Sequence, residues 1–242
     1  AVPETGLGVL SDVKTPLSCR SVTAMTPEAR ASILSSQILV ISKTNTQSTV
    51  HRPIYTDYIG IKQFDKKGNV SGELRVIGLY TSAAYNTSPK EIPVLRLKVK
   101  RVMEMSRLGA HSHAGKVLHN VLDTLPRDDL FQASAAKLLE MGMGIFYMQE
   151  RRKIRMFARK DVYGRFISCL VYVPKELFNT HLRSEIQAEL CSKFNAIEST
   201  FSTRFSDSIL ARIHFMIKIN PLEDVDYDFK EIEKTIIAIG RS

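Results

Sequence analysis

The sequence predicts an α+β fold in which an antiparallel sheet, a helical connector and a second antiparallel sheet follow one another along the chain. Residues 54–85 are rich in β-branched and aromatic side chains around a Gly-containing turn, as in a hairpin. Residues 90–150 instead carry apolar side chains at helical spacing. Residues 154–239 read as two strand pairs, each followed by a helix. This order predicts a ferredoxin-like ββαββα sandwich with its helices on one face of the sheet.

The composition is that of an ordinary folded protein. The 242 residues suffice for one large domain or two ordinary ones, and 44% apolar with 24% charged residues argues against disorder. A net charge of +9 permits an acidic partner, although the basic residues are not gathered in one tail. We expect no membrane span, because no apolar run approaches roughly 20 residues. We expect no secretory signal, because the N-terminal stretch "AVPETGLGVL" lacks a basic segment followed by an apolar one. Cys19, Cys169 and Cys191 lack paired spacing, which predicts reduced thiols in a cytoplasmic protein.

The first part of the chain is predicted to be an antiparallel sheet. A short helix is expected in "MTPEARASIL" and a first strand in Ser36–Thr44. Ile54–Phe64 and Val70–Tyr85 are predicted to form a hairpin around the loop Asp65–Asn69.

The middle of the chain is predicted to be helical. A stripe of apolar residues that starts at Leu95 indicates a first helix, Ala114–Leu125 a second that ends before Pro126, and Ser134–Glu150 a third. This region therefore reads as a helical layer or connector.

The last ninety residues carry the clearest strand pattern. Ile154–Arg159 and Arg165–Val173 are predicted strands joined by the tight turn "KDVYG", and the second is apolar on both faces, which suits a central strand. Asn179 or Thr180 is expected to cap the following helix. Ile209–Ile219 alternates strictly. The acidic residues before the last helix suit its N-terminus, namely Asp224, Asp226 and Asp228.

The glycine- and histidine-containing stretch "GAHSHAGKV" (Gly109–Val117) does not fit a phosphate-binding loop. Five residues rather than four separate its two glycines, Val117 stands where a hydroxyl is needed, and a helical pattern precedes it. His111, His113 and His119 match no zinc spacing. We expect a turn between helices here, and no metal site.

Two further stretches leave alternatives open. In "PRDD", Arg127 and Asp128 could be catalytic, but capping of a helix with a local ion pair is favoured. Arg151–Lys160 is the densest basic stretch and, with the aromatic residues that follow, could bind nucleic acid on a sheet face. A solvated strand face or a subunit interface is the favoured interpretation.

Three long runs resemble the N-terminal, non-catalytic region of the large NAD-specific glutamate dehydrogenases of bacteria. They are Val50–Val99, "LPRDDLFQ" (Leu125–Gln132) and "RKDVYGRFISCLVYVPKELFNTHLR" (Arg159–Arg183). The resemblance extends from Gly6 to about Lys218. It implies that the parent enzyme oxidises L-glutamate to 2-oxoglutarate and ammonia with NAD.

The resemblance also implies a regulatory and assembly segment. Residues 1–88 would be a PAS-like module, 89–150 a helical connector and 151–242 an ACT-like domain. Catalytic and NAD-binding parts would lie downstream, so no catalytic, cofactor-binding or metal-binding residue is assigned here. The implied partners are the downstream catalytic domain of the same chain, further copies in a homo-oligomer and an amino-acid effector; no membrane is expected, and nucleic acid is disfavoured.

An ACT domain often binds an amino acid at an Asp-x-Pro-Gly turn. The turn here offers Asp161 and Gly164, but Tyr163 replaces the proline and a strand follows from Arg165. The turn could be a ligand loop, a subunit contact or only a turn, and we favour the last two.

Three functions remain open from the sequence. The first is regulation or oligomerisation of the dehydrogenase, through a sheet edge and a sheet face that we expect to be uncovered. The second is a basic ferredoxin-like module that binds nucleic acid, and the third is a stand-alone amino-acid sensor.

Overall fold

The chain divides into two units of structure. The first takes in Ala1–Tyr85 together with Val162–Gly164, and the second takes in Asn86–Asp161 and Arg165–Ser242. Cys19, Asp224 and Asp226 of the sequence predictions lie outside the described residues. The computed structural model describes residues 6–11, 27–50, 52–148, 151–223 and 227–241.

The first unit is built on a three-stranded antiparallel sheet in the order β1-β2-β3. The hairpin loop predicted at Asp65–Asn69 is confirmed: the Asp65 carboxylate accepts hydrogen bonds from the backbone N–H of Lys67 and of Asn69, each 2.8 Å long. The elements are a 3-10 turn at Gly8–Ser11, α1 (Pro27–Leu34), β1 (Leu39–Gln47), β2 (Tyr55–Phe64), β3 (Val70–Gly78) and α2 (Ser82–Asn86).

The predicted strand Val70–Tyr85 was too long. The structure ends β3 at Gly78 and forms α2 where "SAAYN" stands. Two alanines and the Ser82 start favour a helix over a strand, and the Asp57 carboxylate accepts a 2.9 Å hydrogen bond from the backbone N–H of Tyr80 just before it. The chain therefore leaves the sheet earlier than its alternating pattern indicated.

The second unit begins with a layer of four helices. Leu95, Val99 and Val102 are buried, as the predicted apolar stripe requires. Between the second and third predicted helices the structure adds a short one, which "PRDD" opens. The helices are α3 (Pro93–Ser106), α4 (His113–Thr124), α5 (Arg127–Gln132) and α6 (Ala135–Met148).

The remainder of the second unit is a four-stranded antiparallel sheet with two helices. The strands lie in the order β4-β5-β7-β6, so that each hairpin contributes one central and one edge strand. Asn179 caps the first helix by accepting a 2.8 Å hydrogen bond from the backbone N–H of Leu182. The elements are β4 (Arg155–Lys160), β5 (Phe166–Pro174), α7 (Thr180–Lys193), β6 (Glu198–Phe205), β7 (Leu210–Lys218) and α8 (Phe229–Ile239).

The larger core lies between this sheet and helices α7 and α8. On β5 it takes in Ile167 and Val171, which alternate with the residues of the opposite face. Phe194, at the end of α7, and Phe215 of β7 are its largest fully buried side chains. The alternation predicted for β7 is thus confirmed, except at Ile209, which precedes the strand and is 40% exposed.

The opposite face of the sheet is covered, contrary to the expectation of an uncovered face. All nine residues of β5 are buried. Phe157 of β4 lies against α6, where a Cβ built on Gly144 would come within 2.4 Å of its ring. Arg212 of β7 donates a hydrogen bond to the carbonyl of Thr124 at the end of α4. The helices predicted as a connector therefore form the second cover of the sheet.

Candidate functional site

The turn between β4 and β5 is held by the Asp161 carboxylate. Oδ1 accepts hydrogen bonds from the backbone N–H of Arg165 and, at 2.9 Å, of Phe166. The Arg165 guanidinium lies 3.9 Å from Oδ2. Gly164 has a φ of +65°, a left-handed conformation that glycine adopts without strain. In this geometry the aspartate serves as a cap for the hairpin.

Tyr163 has its ring contact with a residue of β2. Residues Val162–Gly164 group with the first unit. There the Tyr163 ring stands edge-on to the ring of Tyr58, with 5.7 Å between centroids. The Tyr58 hydroxyl donates a 2.6 Å hydrogen bond to Glu73, whose carboxylate also accepts one from Arg75.

Arg127 and Asp128 lie at the start of α5. The Arg127 guanidinium donates to the carbonyls of Asp123 and Thr87, at 3.1 and 3.0 Å. Asp128 stands in the first turn of α5, where a negative charge is favoured by the helix dipole. The structure thus brings Arg127 and Asp128 together at one helix start, and Asp161, Gly164 and Arg165 together at one turn.

The most elaborate polar arrangement centres on Asp129, the last residue of "PRDD", which was not among the candidate site residues. Its side chain is fully buried and accepts two hydrogen bonds from the Arg159 guanidinium, 3.1 Å from Nε and 2.8 Å from Nη2. Ser168 donates a third, 3.0 Å long, to the other oxygen. Gln132 accepts a further bond from Arg159 at 3.1 Å. A residue of α5 is therefore tied to both β4 and β5.

His214 extends this network to β7. Its Nε2 lies 2.8 Å from the Ser168 hydroxyl and 3.8 Å from Asp129. Because the Ser168 hydroxyl uses its hydrogen to donate to Asp129, it accepts from His214, and Nε2 is the protonated ring nitrogen. Burial lowers the pKa of His214, against the opposing effect of Asp129. For Asp129 burial acts to raise the pKa, but the Arg159 charge and the hydrogen bonds from Arg159 and Ser168 hold it below its usual value.

Lys98 supports the same helix from α3. Its ammonium donates to the carbonyls of Leu130, Phe131 and Ala133, with 3.1 Å to Leu130 and 2.8 Å to Ala133. Burial, with a smaller contribution from Arg159, lowers the pKa of Lys98 to about 8. The Lys98 ammonium thus donates hydrogen bonds at the C-terminal end of α5, where a helix does not supply every donor itself.

This arrangement fits a structural role better than a catalytic one. In a nucleophilic triad the histidine stands between the acid and the hydroxyl, whereas here Ser168 contacts Asp129 directly. Burial raises the pKa of the neighbouring Cys169 thiol, which keeps it un-ionised. Among the described residues, no group of three or more His, Cys, Asp and Glu side chains could hold a metal ion. In the same part of the chain, no helix is both long and apolar enough to traverse a bilayer.

This network was difficult to predict from the sequence. Asp129 looked like one of two capping carboxylates with Arg127 as its neighbour, but its ion pair is with Arg159, thirty residues away. The available signal was a serine and a histidine in otherwise apolar strands. Each implies a buried polar partner on the opposing layer.

The fold and its network define a class of protein: an α+β module in which a helical layer is clamped onto a four-stranded antiparallel sheet. Two family models match it. Residues 92–151 match helical motif 1 of glutamate dehydrogenase, and residues 155–242 match its ACT2 domain.

Curated relatives agree with these models. The chain is 40% identical over 206 residues to an NAD-specific glutamate dehydrogenase of Halomonas elongata and 43% identical over 205 residues to one of Pseudomonas aeruginosa; each match covers 85% of this chain and 13% of the relative. A third, from Mycobacterium tuberculosis, is 31% identical over 183 residues, which are 76% of this chain and 11% of the relative. The chain therefore belongs to the NAD-specific glutamate dehydrogenases and spans about an eighth of the length of the first two.

Proposed function

We propose that this chain is a regulatory and oligomerisation segment of an enzyme that converts L-glutamate, NAD and water to 2-oxoglutarate, ammonia and NADH. The observation that carries the proposal is the joint match to helical motif 1 and the ACT2 domain within 13% of the length of the relatives. The segment itself is proposed to lack catalytic function, with NAD bound elsewhere in the polypeptide. Its partners would be the downstream catalytic domain, further copies of the chain and an amino-acid effector.

Finer structural assignments belong to the same proposal. The element order β4-β5-α7-β6-β7-α8 and the all-antiparallel sheet support a ferredoxin-like ββαββα domain at 151–242. We further propose 89–150 as a helical connector that also covers one face of the second sheet, and 1–88 as a PAS-like module, the latter on its antiparallel sheet. A cytoplasmic location would suit Cys169 and Cys191, which are free thiols.

The proposal is tested by removing the segment from the full-length enzyme. We expect the deletion to change the oligomeric state, measured by mass photometry, or the response of glutamate oxidation to added amino acids. The purified segment should show no NAD reduction with glutamate. An unchanged assembly with unchanged effector responses would remove the regulatory role, and activity of the segment alone would overturn the absence of catalysis.

The turn Asp161–Gly164 is proposed as a subunit contact or a plain hairpin turn. Support comes from the Asp161 carboxylate, which already accepts backbone hydrogen bonds from Arg165 and Phe166. A substitution of Asp161 by Asn keeps one acceptor oxygen and should leave amino-acid responses of the full enzyme unchanged. A loss of one such response, with assembly intact, would instead favour a ligand loop.

A further inference from the structure

The sheet of the first unit carries an apolar face that is open to solvent. Cross-strand partners of an antiparallel sheet share a face, so the register defines which side chains lie together. One row across the sheet is Ile41, Ile59 and Val76. The next row is Leu39, Ile61 and Leu74. Six aliphatic side chains thus form two adjacent rows, which we call the aliphatic face.

Three of the six residues of the aliphatic face are exposed to solvent, unlike core residues. Leu74 is 56% exposed, Val76 52% and Ile61 39%, and the other three are only partly buried. Single exposed aliphatic residues are common on protein surfaces, but contiguous rows of them mark an interaction site. The two contiguous rows together, and not any single residue, indicate a binding surface.

The chemistry of the aliphatic face specifies an apolar partner. Neither row contains a charged side chain. The row beyond Ile41 and Ile59 holds Lys43 and Asp57, but their 2.6 Å ion pair is buried and satisfied within the sheet. Such a surface offers nothing to phosphate groups, which excludes nucleic acid as its occupant. An amphipathic helix with an aliphatic stripe is the element that covers one face of an antiparallel sheet in α+β domains.

We infer that the aliphatic face is covered by an amphipathic segment of the same polypeptide that lies outside these 242 residues. The relatives provide the argument for the source, because matches of this chain account for only 13% of their length. A sheet of three strands is also at the lower limit for independent stability, where a hydrophobic face or packing against a helix is required. The inference rests on the proposed function only in that the chain is part of a longer polypeptide.

Site-specific photo-cross-linking in the full-length protein tests this inference. A benzoylphenylalanine replaces Leu74 in one variant and Val76 in a second, so that a folding defect in either leaves the other. The matched control places it at Lys67, in the exposed hairpin loop of the same strand pair. Subunits labelled with ¹⁴N and ¹⁵N are mixed, so that cross-links within a chain differ in mass from those between chains.

We expect cross-links from positions 74 and 76 to peptides of the same chain outside residues 1–242, with a yield about ten-fold above that of the control. Yields equal to the control would show an open face and overturn the inference. Mixed-isotope products would overturn it in favour of a second copy, and products within residues 1–242 in favour of this segment itself. If the cross-links form but the protein does not oxidise glutamate with NAD, only the proposed function falls.

Discussion

Removal of the Asp129–Arg159 ion pair should show how far the helical layer and the sheet stabilise each other. Asp129 is fully buried and Arg159 is 9% exposed, with two hydrogen bonds between them. Replacement of Asp129 by Leu leaves a buried guanidinium without its carboxylate, and replacement of Arg159 by Met leaves a buried carboxylate. Each single change should lower the free energy of unfolding by about 3–5 kcal/mol.

The double variant Asp129→Leu/Arg159→Met should lose less stability than the two single variants together. With both charges gone, neither is left buried without a partner, and Leu and Met can pack between α5 and β4. The double variant should therefore be at least about 2 kcal/mol more stable than the sum of the two single losses would allow. Asp128 is the matched control, since its change to Leu removes a carboxylate one residue away and should cost no more than about 1 kcal/mol.

Urea unfolding of the 242-residue chain, followed by circular dichroism, measures these free energies, and hydrogen exchange of the β5 amides assigns the transition to the second unit. A double variant whose loss equals the sum of the single losses would refute the coupling. An Asp129 variant as stable as the Asp128 control would refute the importance of the pair. Because the pKa of Asp129 is lowered, its contribution should be complete above pH about 4 and be lost as the pH falls further.

Three further changes test the same unit. The pKa of His214 is lowered below 6.5, so the unfolded chain takes up a proton that the folded chain does not. The free energy of unfolding should therefore decrease as the pH falls from about 6.5. His214→Asn should reduce this pH dependence in urea titrations at several pH values. An unchanged slope would contradict a buried neutral imidazole. Lys98→Met should cost about 2 kcal/mol, because it removes the hydrogen bonds that the ammonium donates to the carbonyls of Leu130, Phe131 and Ala133. Lys100→Met on the exposed side of α3 should cost about 0.5 kcal/mol or less. Equal urea midpoints for the two variants would contradict the capping role. Gly144→Ala should lower the melting temperature although alanine has the better helix propensity, because its Cβ would lie 2.4 Å from the Phe157 ring. The expected loss in the free energy of unfolding is about 1–3 kcal/mol. A higher melting temperature would show that the ring can move aside.

Periodicity predicted the sheet of the second unit well because each strand follows a simple rule. A strand between two covered faces is apolar throughout, and β5 has this pattern and this burial. The cap predicted at Asn179 or Thr180 is Asn179, and it could be predicted because capping is a local interaction over three residues. Local rules also placed the hairpin loop that begins at Asp65.

The polar network was not predictable by those rules. Asp129 meets Arg159 and Ser168 across intervals of thirty and thirty-nine residues, and only the packing of the two layers brings them together. The uncovered sheet face was wrongly expected for the same reason: the helices at 93–148 read as a connector because nothing in their own stripe shows where they dock. The turn that contains Gly164 could be predicted locally, but the hairpin role of Asp161 depends on the strand beyond it.

The polar network between the helical layer and the sheet constrains how the two stretches can evolve. Asp129 lies in the stretch that matches helical motif 1, while Arg159, Ser168 and His214 lie in the stretch that matches the ACT2 domain. A chimaera that joined these two stretches from different relatives would bring together two packing surfaces that did not evolve in the same protein. If one parent lacked the counterpart of Asp129 or of Arg159, the chimaera would contain one buried charge without its ion-pair partner. Helical motif and sheet are thus expected to evolve as one piece.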